Sequence, residues 1–104
     1  MNINFQIHYR AEYGQSLCVI EIQESILGWT EKSPLVLNCQ GTDFWQVNVP
    51  ISDFAGSIRY KYAIRVGEGQ YIYEAGEPRI LNLVESQKSK VERQIVVRDA
   101  WQAS

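Results

Sequence analysis

Ile3, Phe5, Ile7 and Tyr9 alternate with Asn4, Gln6, His8 and Arg10, a period of two that predicts a half-buried strand at the start of the chain. After a turn at Tyr13-Gly14-Gln15, the β-branched run Ser16 to Ile22 predicts a more central strand. Gln23 to Pro34 reads as a loop carrying Gly28-Trp29, followed by a short strand at Leu35-Val36-Leu37. Alternation returns over Phe44 to Val49, closed by Pro50, and is longest where Ile58, Tyr60, Tyr62, Ile64 and Val66 interleave with Arg59, Lys61, Ala63 and Arg65. Gly67-Glu68-Gly69-Gln70 signals a hairpin into Tyr71 to Glu74. Arg79 to Val84 and Val91 to Arg98 are further strands, separated by the polar turn Glu85 to Lys90.

No segment sustains a 3.6-residue period, so helix is at most a short turn. About eight short strands within one chain predict an all-β, antiparallel two-sheet β-sandwich of immunoglobulin-like form. Residues 1–104 make one domain, with neither an internal repeat nor a linker. The parity of each strand divides its residues between core and surface. Tyr60 and Tyr62 share a face with Ile58 and Ile64 and are assigned to the core, and Trp45 goes with Val47 and Val49. Tyr73 depends on the hairpin. A regular two-residue loop at Glu68-Gly69 pairs Ile64 with Tyr73 and turns the ring inward, whereas a bulge or an odd loop puts it on the face of Lys61.

Composition narrows the function. A net charge of −2, with Lys and Arg scattered singly, offers no basic stripe for phosphates, so no nucleic acid partner is expected. No apolar run approaches the ~20 residues that cross a bilayer, and the first residues lack the pattern of a signal peptide. The chain is therefore expected to be cytoplasmic and not membrane-bound. Cys18 and Cys39 have no metal or redox spacing and are read as reduced, buried thiols, with a disulfide between them as the alternative.

Little in the sequence suggests catalysis. Nucleophilic triads need a base that titrates near neutrality, and His8 stands on the polar face of the first strand as a solvated side chain. None of the carboxylates lies in an apolar context suited to glycoside hydrolysis. Glu21, which interrupts the apolar run Val19 to Ile22, is read as an edge residue or an ion-pair partner. Neither cofactor nor metal is implied. More distinctive are Tyr13, Trp29, Tyr71 and Tyr73, aromatics in or beside turns, where exposed rings can lie under the C–H face of a sugar while planar polar groups reach its hydroxyls. Rings that cap the ends of the sandwich core are the other reading of these residues.

The order of these segments resembles the starch-binding carbohydrate-binding module family 20. Tyr13-Gly14-Gln15-Ser16 and the strand after it resemble that family's opening, Leu27-Gly28-Trp29 its Leu-Gly-x-Trp loop, and Phe44 to Val49 its central Trp strand. Ile58 to Tyr62 is similar to its Phe-Glu-Tyr-Lys-Tyr strand, Tyr73-Glu74 with Arg79 to its Trp-Glu…Asn-Arg segment, and Val97 to Trp101 to its ending. The resemblance implies a non-catalytic module that binds α-1,4-glucan (starch, glycogen or maltooligosaccharide). One site would use Trp29 and Tyr73 as two angled rings with Lys61 as hydrogen-bond donor. A second would centre on Tyr13, with Trp45 contributing, while Trp101 is structural. The opening and ending look most like the N-terminal modules of cytoplasmic 4-α-glucanotransferases, and Met1 agrees with an N-terminal position, which would make the catalytic domain of such an enzyme a partner. Arg59, Tyr73 and Pro78 depart from the family's usual Glu, Trp and Asn. They support the alternative of a protein-interaction or structural sandwich with an eroded sugar site.

Overall fold

The computed structural model describes residues 1–51, 56–83 and 94–103. Among the described residues there are nine strands: β1 (Asn2–His8), β2 (Ser16–Glu21), β3 (Leu35–Val36), β4 (Asn38–Gln40), β5 (Phe44–Pro50), β6 (Gly56–Gly67), β7 (Gln70–Tyr73), β8 (Arg79–Leu83) and β9 (Gln94–Ala100). They form a four-stranded sheet of order β4-β5-β1-β9 and a five-stranded sheet of order β3-β2-β6-β7, with β8 also paired to β6. The all-β sandwich is thus as expected; the expected strand Leu35 to Leu37 is cut to Leu35–Val36, and after Leu37 the chain enters β4 in the other sheet. The polar turn at 85–90 and the first residues of the last expected strand lie outside the described residues.

One pairing is parallel. β1 runs alongside β9 with Ile3 opposite Ile95 and Ile7 opposite Asp99, whereas the other pairings are antiparallel. Parallel neighbours need a long crossover between them, and the rest of the domain is that crossover.

Alternation decides what is buried. Ile3, Phe5 and Ile7 from β1, Trp45 from β5 and Ile58, Tyr60, Tyr62 and Ile64 from β6 meet between the sheets with Leu17 and Val19. Phe5 is the hub, its ring edge-to-face with Trp29, Tyr60 and Tyr62 at 5.6, 5.3 and 6.5 Å. Trp101 tilts over Tyr9 at 4.9 Å and packs against this core. Both cysteines are free, but only Cys18 is buried; Cys39 sits on the short edge strand β4 and is exposed. The expectation of two buried thiols holds for one of them, because the outer strand of a sheet leaves its side chains uncovered.

Candidate functional site

The β6–β7 hairpin is irregular. Arg65 lies opposite Tyr71 and Gly67 opposite Gln70, so Val66 is an extra residue in β6 and the register shifts there. Gly69, at φ 72°, supplies the left-handed residue of the loop. The shift sets Tyr73 opposite Ala63 rather than Ile64, which puts Tyr71 and Tyr73 on the outer face of the five-stranded sheet, the face of Lys61 and Arg65. Of the two hairpin geometries open from sequence, the bulged one is adopted.

On that face Cys18, Ile20 and Ala63 form a small buried apolar patch, covered by the half-buried rings of Tyr71 and Tyr73. Ala63 and Cys18 are small enough for the rings to lie close to the sheet. Burial pushes the Cys18 thiol up to about 12 against the pull of Arg65, so the group stays a protonated filler beneath the rings. The two rings stand 6.5 Å apart at an interplanar angle of 43°. Their hydroxyls converge on one residue of the 22–34 loop. Tyr71 donates to the Glu31 carbonyl at 2.7 Å and Tyr73 donates to the Glu31 carboxylate. Burial and this acceptor both hold the Tyr73 phenol well above its ordinary range, so it remains a donor. A shallow depression of about 350 Å³ beside the rings is lined by Glu31, Lys32, Arg65, Glu68 and Tyr71.

Beneath Tyr73 the chain is anchored by Glu74, which is 2% exposed. Its carboxylate accepts the Nε–H and Nη2–H of Arg79, at 2.9 and 2.8 Å, together with the backbone N–H of Tyr62 at 2.9 Å. Arg79 also reaches Asp99 at 3.3 Å, and Asp99 in turn accepts the hydroxyls of Tyr60 and Tyr62, each at 2.8 Å. The Glu74 contact raises the Arg79 pKa further above its usual value. Lys61 donates to the Glu74 carbonyl at 3.3 Å, which holds its ammonium beside the tyrosine face.

Trp29 is placed otherwise than expected. Its indole is 7% exposed and stands edge-on to Phe5 between the sheets, so it is no open platform and does not pair with Tyr73. The cause lies in the loop. Glu21, on an inner strand and without an ion-pair partner among the described residues, turns its carboxylate into the loop and accepts the backbone N–H groups of Ile26, Leu27 and Trp29 at 2.7 to 3.0 Å. Gly28, at φ 88°, reverses the chain immediately before the tryptophan, and the Trp29 carbonyl accepts the N–H of Glu21 at 2.8 Å. The indole is thereby drawn inward, where it buries the most apolar surface.

Trp45 is also 7% exposed, and its indole N–H is satisfied by the Tyr9 carbonyl at 2.9 Å, which makes it a core residue rather than part of a second platform. Tyr13 is wholly exposed at the Tyr13-Gly14 turn. Of the candidate residues, the fold brings Tyr73 and Lys61 to one face and sends Trp29 and Trp45 inside. Tyr71 and Glu31 belong to the tyrosine face as well. Tyr71 was legible as an aromatic two residues before Tyr73 and hence on its side of the strand; Glu31 carried no signal, because its role depends on a loop folding across to β7. Among the described residues no group of three His, Cys, Asp or Glu side chains is placed to hold a metal.

The family model described as a starch binding domain matches residues 1–93. No curated protein matches the chain. Among solved structures, a glycoside hydrolase family 15 glucoamylase from Hypocrea jecorina superposes with a TM-score of 0.75 at 17% identity, covering 97% of this chain and 17% of that one. A Hormoconis resinae glucoamylase gives 0.69 at 23% identity over 99% of this chain and 17% of its own. The family 20 carbohydrate-binding module of a maltotetraose-forming amylase from Pseudomonas saccharophila gives 0.65 at 13% identity, covering 95% of this chain and all of that one. At these identities the likeness is one of fold, and the chain spans about one sixth of either glucoamylase.

Proposed function

Since the chain belongs to the starch-binding domain family, a family of binding modules rather than enzymes, we propose that it binds α-1,4-glucan on the tyrosine face of the five-stranded sheet. The observation that carries this reading is the pair Tyr71 and Tyr73, two partly exposed rings tilted by 43° and backed by Lys61. A helically curved glucan turns its successive sugar faces away from one plane, and tilted rings follow that turn as coplanar rings would not. Glu31 acts on the rings, not on the sugar: by accepting both hydroxyls it fixes the tilt before ligand arrives, which lowers the ordering cost of binding. The pair takes the place that Trp29 and Tyr73 hold in the resemblance. The parent protein is read as a cytoplasmic 4-α-glucanotransferase, on the strength of the Tyr13-Gly14-Gln15-Ser16 opening and the Asp99-Ala100-Trp101-Gln102 ending.

Calorimetric titration with maltoheptaose tests the site. Tyr71→Ala and Tyr73→Ala should each weaken binding roughly tenfold while the fold is retained, since a ring's stacking contribution is on the order of 1 kcal/mol. A wild-type protein that takes up no sugar at millimolar concentration leaves the second reading, a structural or protein-interaction sandwich with an eroded site, which the burial of Trp29 favours.

A further inference from the structure

Tyr73 is the last residue of β7, an edge strand that, among the described residues, pairs with β6 on one side and with nothing on the other. Support on the far side of Tyr73 comes from the end of β9. The Gln102 N–H donates to the Glu74 carboxylate at 3.3 Å, and the Gln102 carbonyl accepts the Ala75 N–H at 2.9 Å. Two residues earlier, the Ala100 carbonyl accepts the Nη2–H of Arg79, the side chain that also clamps Glu74. Between these points Trp101 tilts over Tyr9 and packs against the core, which pins the segment to the body of the sandwich. Gly76, at φ 88°, lets the turn after β7 close over the same segment, for a Cβ there would stand 2.7 Å from the Gln102 Oε1. Residues 100–102 are therefore a strap fastened to residues 74, 75 and 79, and one carboxylate, that of Glu74, gathers donors from β6, β8 and the strap.

We propose that this strap is a positioning element for the sugar-binding face: through Glu74 and Ala75 the Gln102 backbone sets the place of Tyr73, and glucan affinity depends on whether the strap is docked. The inference rests on the function proposed above. The Tyr73 ring is held at its tip, where the hydroxyl donates to Glu31, and at its root, where the backbone runs into Glu74. With the tip tied and the root free to shift, the ring no longer has one tilt against Tyr71, and part of the binding energy goes into ordering it. At 3.3 Å the Gln102–Glu74 bond is long, and the strap follows the end of a strand, so it can open while the two sheets stay closed. Linkage then runs both ways. A docked strap favours the ring that receives sugar, and bound sugar holds the strap down by the same factor. Residues 100–102 touch no sugar in this scheme and act through Tyr73. A strap that served stability alone would leave the affinity of the folded molecule as it is.

Amide hydrogen exchange and titration with maltoheptaose, both followed by ¹⁵N NMR on the whole chain, test the coupling. In the wild type, saturating sugar should slow exchange at the N–H groups of Ala75 and Gln102 about fivefold, an ordinary size for coupled sites. Ile51, whose N–H bonds the Met1 carbonyl at the far end of the four-stranded sheet, should exchange as before. Gln102→Pro deletes the N–H that Glu74 accepts and should weaken maltoheptaose binding by about the same factor, with the Tyr73 ring resonances shifted even before sugar is added. Gln102→Ala keeps both backbone bonds and should restore wild-type affinity. Should the proline variant not fold, exchange in the wild type decides alone. Tyrosine resonances that respond to sugar while Ala75 and Gln102 exchange at their sugar-free rate would overturn the inference and leave the proposed function standing. Equal slowing at Ile51, the sign of a domain stabilised as a whole, would overturn it too, as would a folded Gln102→Pro protein of wild-type affinity. A wild type in which neither Tyr71 nor Tyr73 responds to sugar overturns the proposed function and takes this inference with it.

Discussion

The loop that carries Trp29 and the hairpin that carries Tyr73 are both fastened by a buried glutamate, and they deliver their aromatic rings to opposite sides of the same sheet. Glu21, 8% exposed, is held by three backbone N–H groups of the residues it fastens, and it sits level with the core, so the chain it gathers turns inward. Glu74, 2% exposed, is held from within by Arg79 and the Tyr62 N–H, and the residue before it is left outside. Both carboxylates have full hydrogen-bonding partners, which is what makes their burial tolerable. The lesson is that exposure of an aromatic near a turn follows from where its backbone is tied, and ring size has little say. The bulkier indole is inside and the phenol is on the surface.

The largest expected effect breaks the hairpin's anchor. Arg79→Ala leaves a buried carboxylate without its counter-charge and should cost about 3–5 kcal/mol, seen as a large fall in the urea midpoint. Next comes the core ring itself. Trp29→Ala should also cost about 3–5 kcal/mol by cavity formation, yet leave maltoheptaose affinity per folded molecule unchanged, whereas Tyr73→Ala should do the reverse. Affinity lost with Trp29→Ala, in a protein shown by its NMR spectrum to be folded, would erase the contrast between the two rings.

A smaller change tests the loop. In Glu21→Gln one oxygen becomes an NH₂ group facing a backbone N–H, a loss of about 1–3 kcal/mol. Red-shifted Trp29 fluorescence would show the loop released, best read in a Trp45→Phe/Trp101→Phe background.

The gentlest test is alkaline titration. Burial raises the Cys18 thiol from 9.0 to about 12 and lifts Tyr60 and Tyr62 well above their ordinary value of 10.0, with Asp99 adding to the rise for both tyrosines. The folded state therefore holds these protons more tightly than the unfolded chain. Their contribution is complete below pH 9 and is lost as pH climbs through the folded values, so the urea midpoint should stay level to about pH 9 and decline above it. Cys18→Ala should delay the onset of that decline to about pH 10, where unfolded tyrosines begin to ionise.

Much of this was legible in advance. Period-two alternation placed Ile3, Phe5 and Ile7, the β5 residues around Trp45, and the β6 tyrosines on their proper faces, because a strand's side chains must alternate and only one face of each sheet meets the core. The same parity reduced Tyr73 to a choice between two hairpins. What it could not decide was which one forms, since a bulge adds a residue without altering the pattern around it. Trp29 was misplaced for a related reason. Loop residues have no period, and the resemblance that set Trp29 beside Tyr73 could not register that Glu21 reaches across to collect the loop.

By itself, then, the sequence determined the class of fold, the membership of the core strands and the family to which the chain belongs, all properties carried by local alternation and by the order of motifs. Tertiary structure alone decided which aromatic faces water and that Glu31 joins Tyr71 to Tyr73. Those outcomes depend on hydrogen bonds between residues 5 to 42 positions apart and on strand register, and such pairings exist only once the chain has closed on itself.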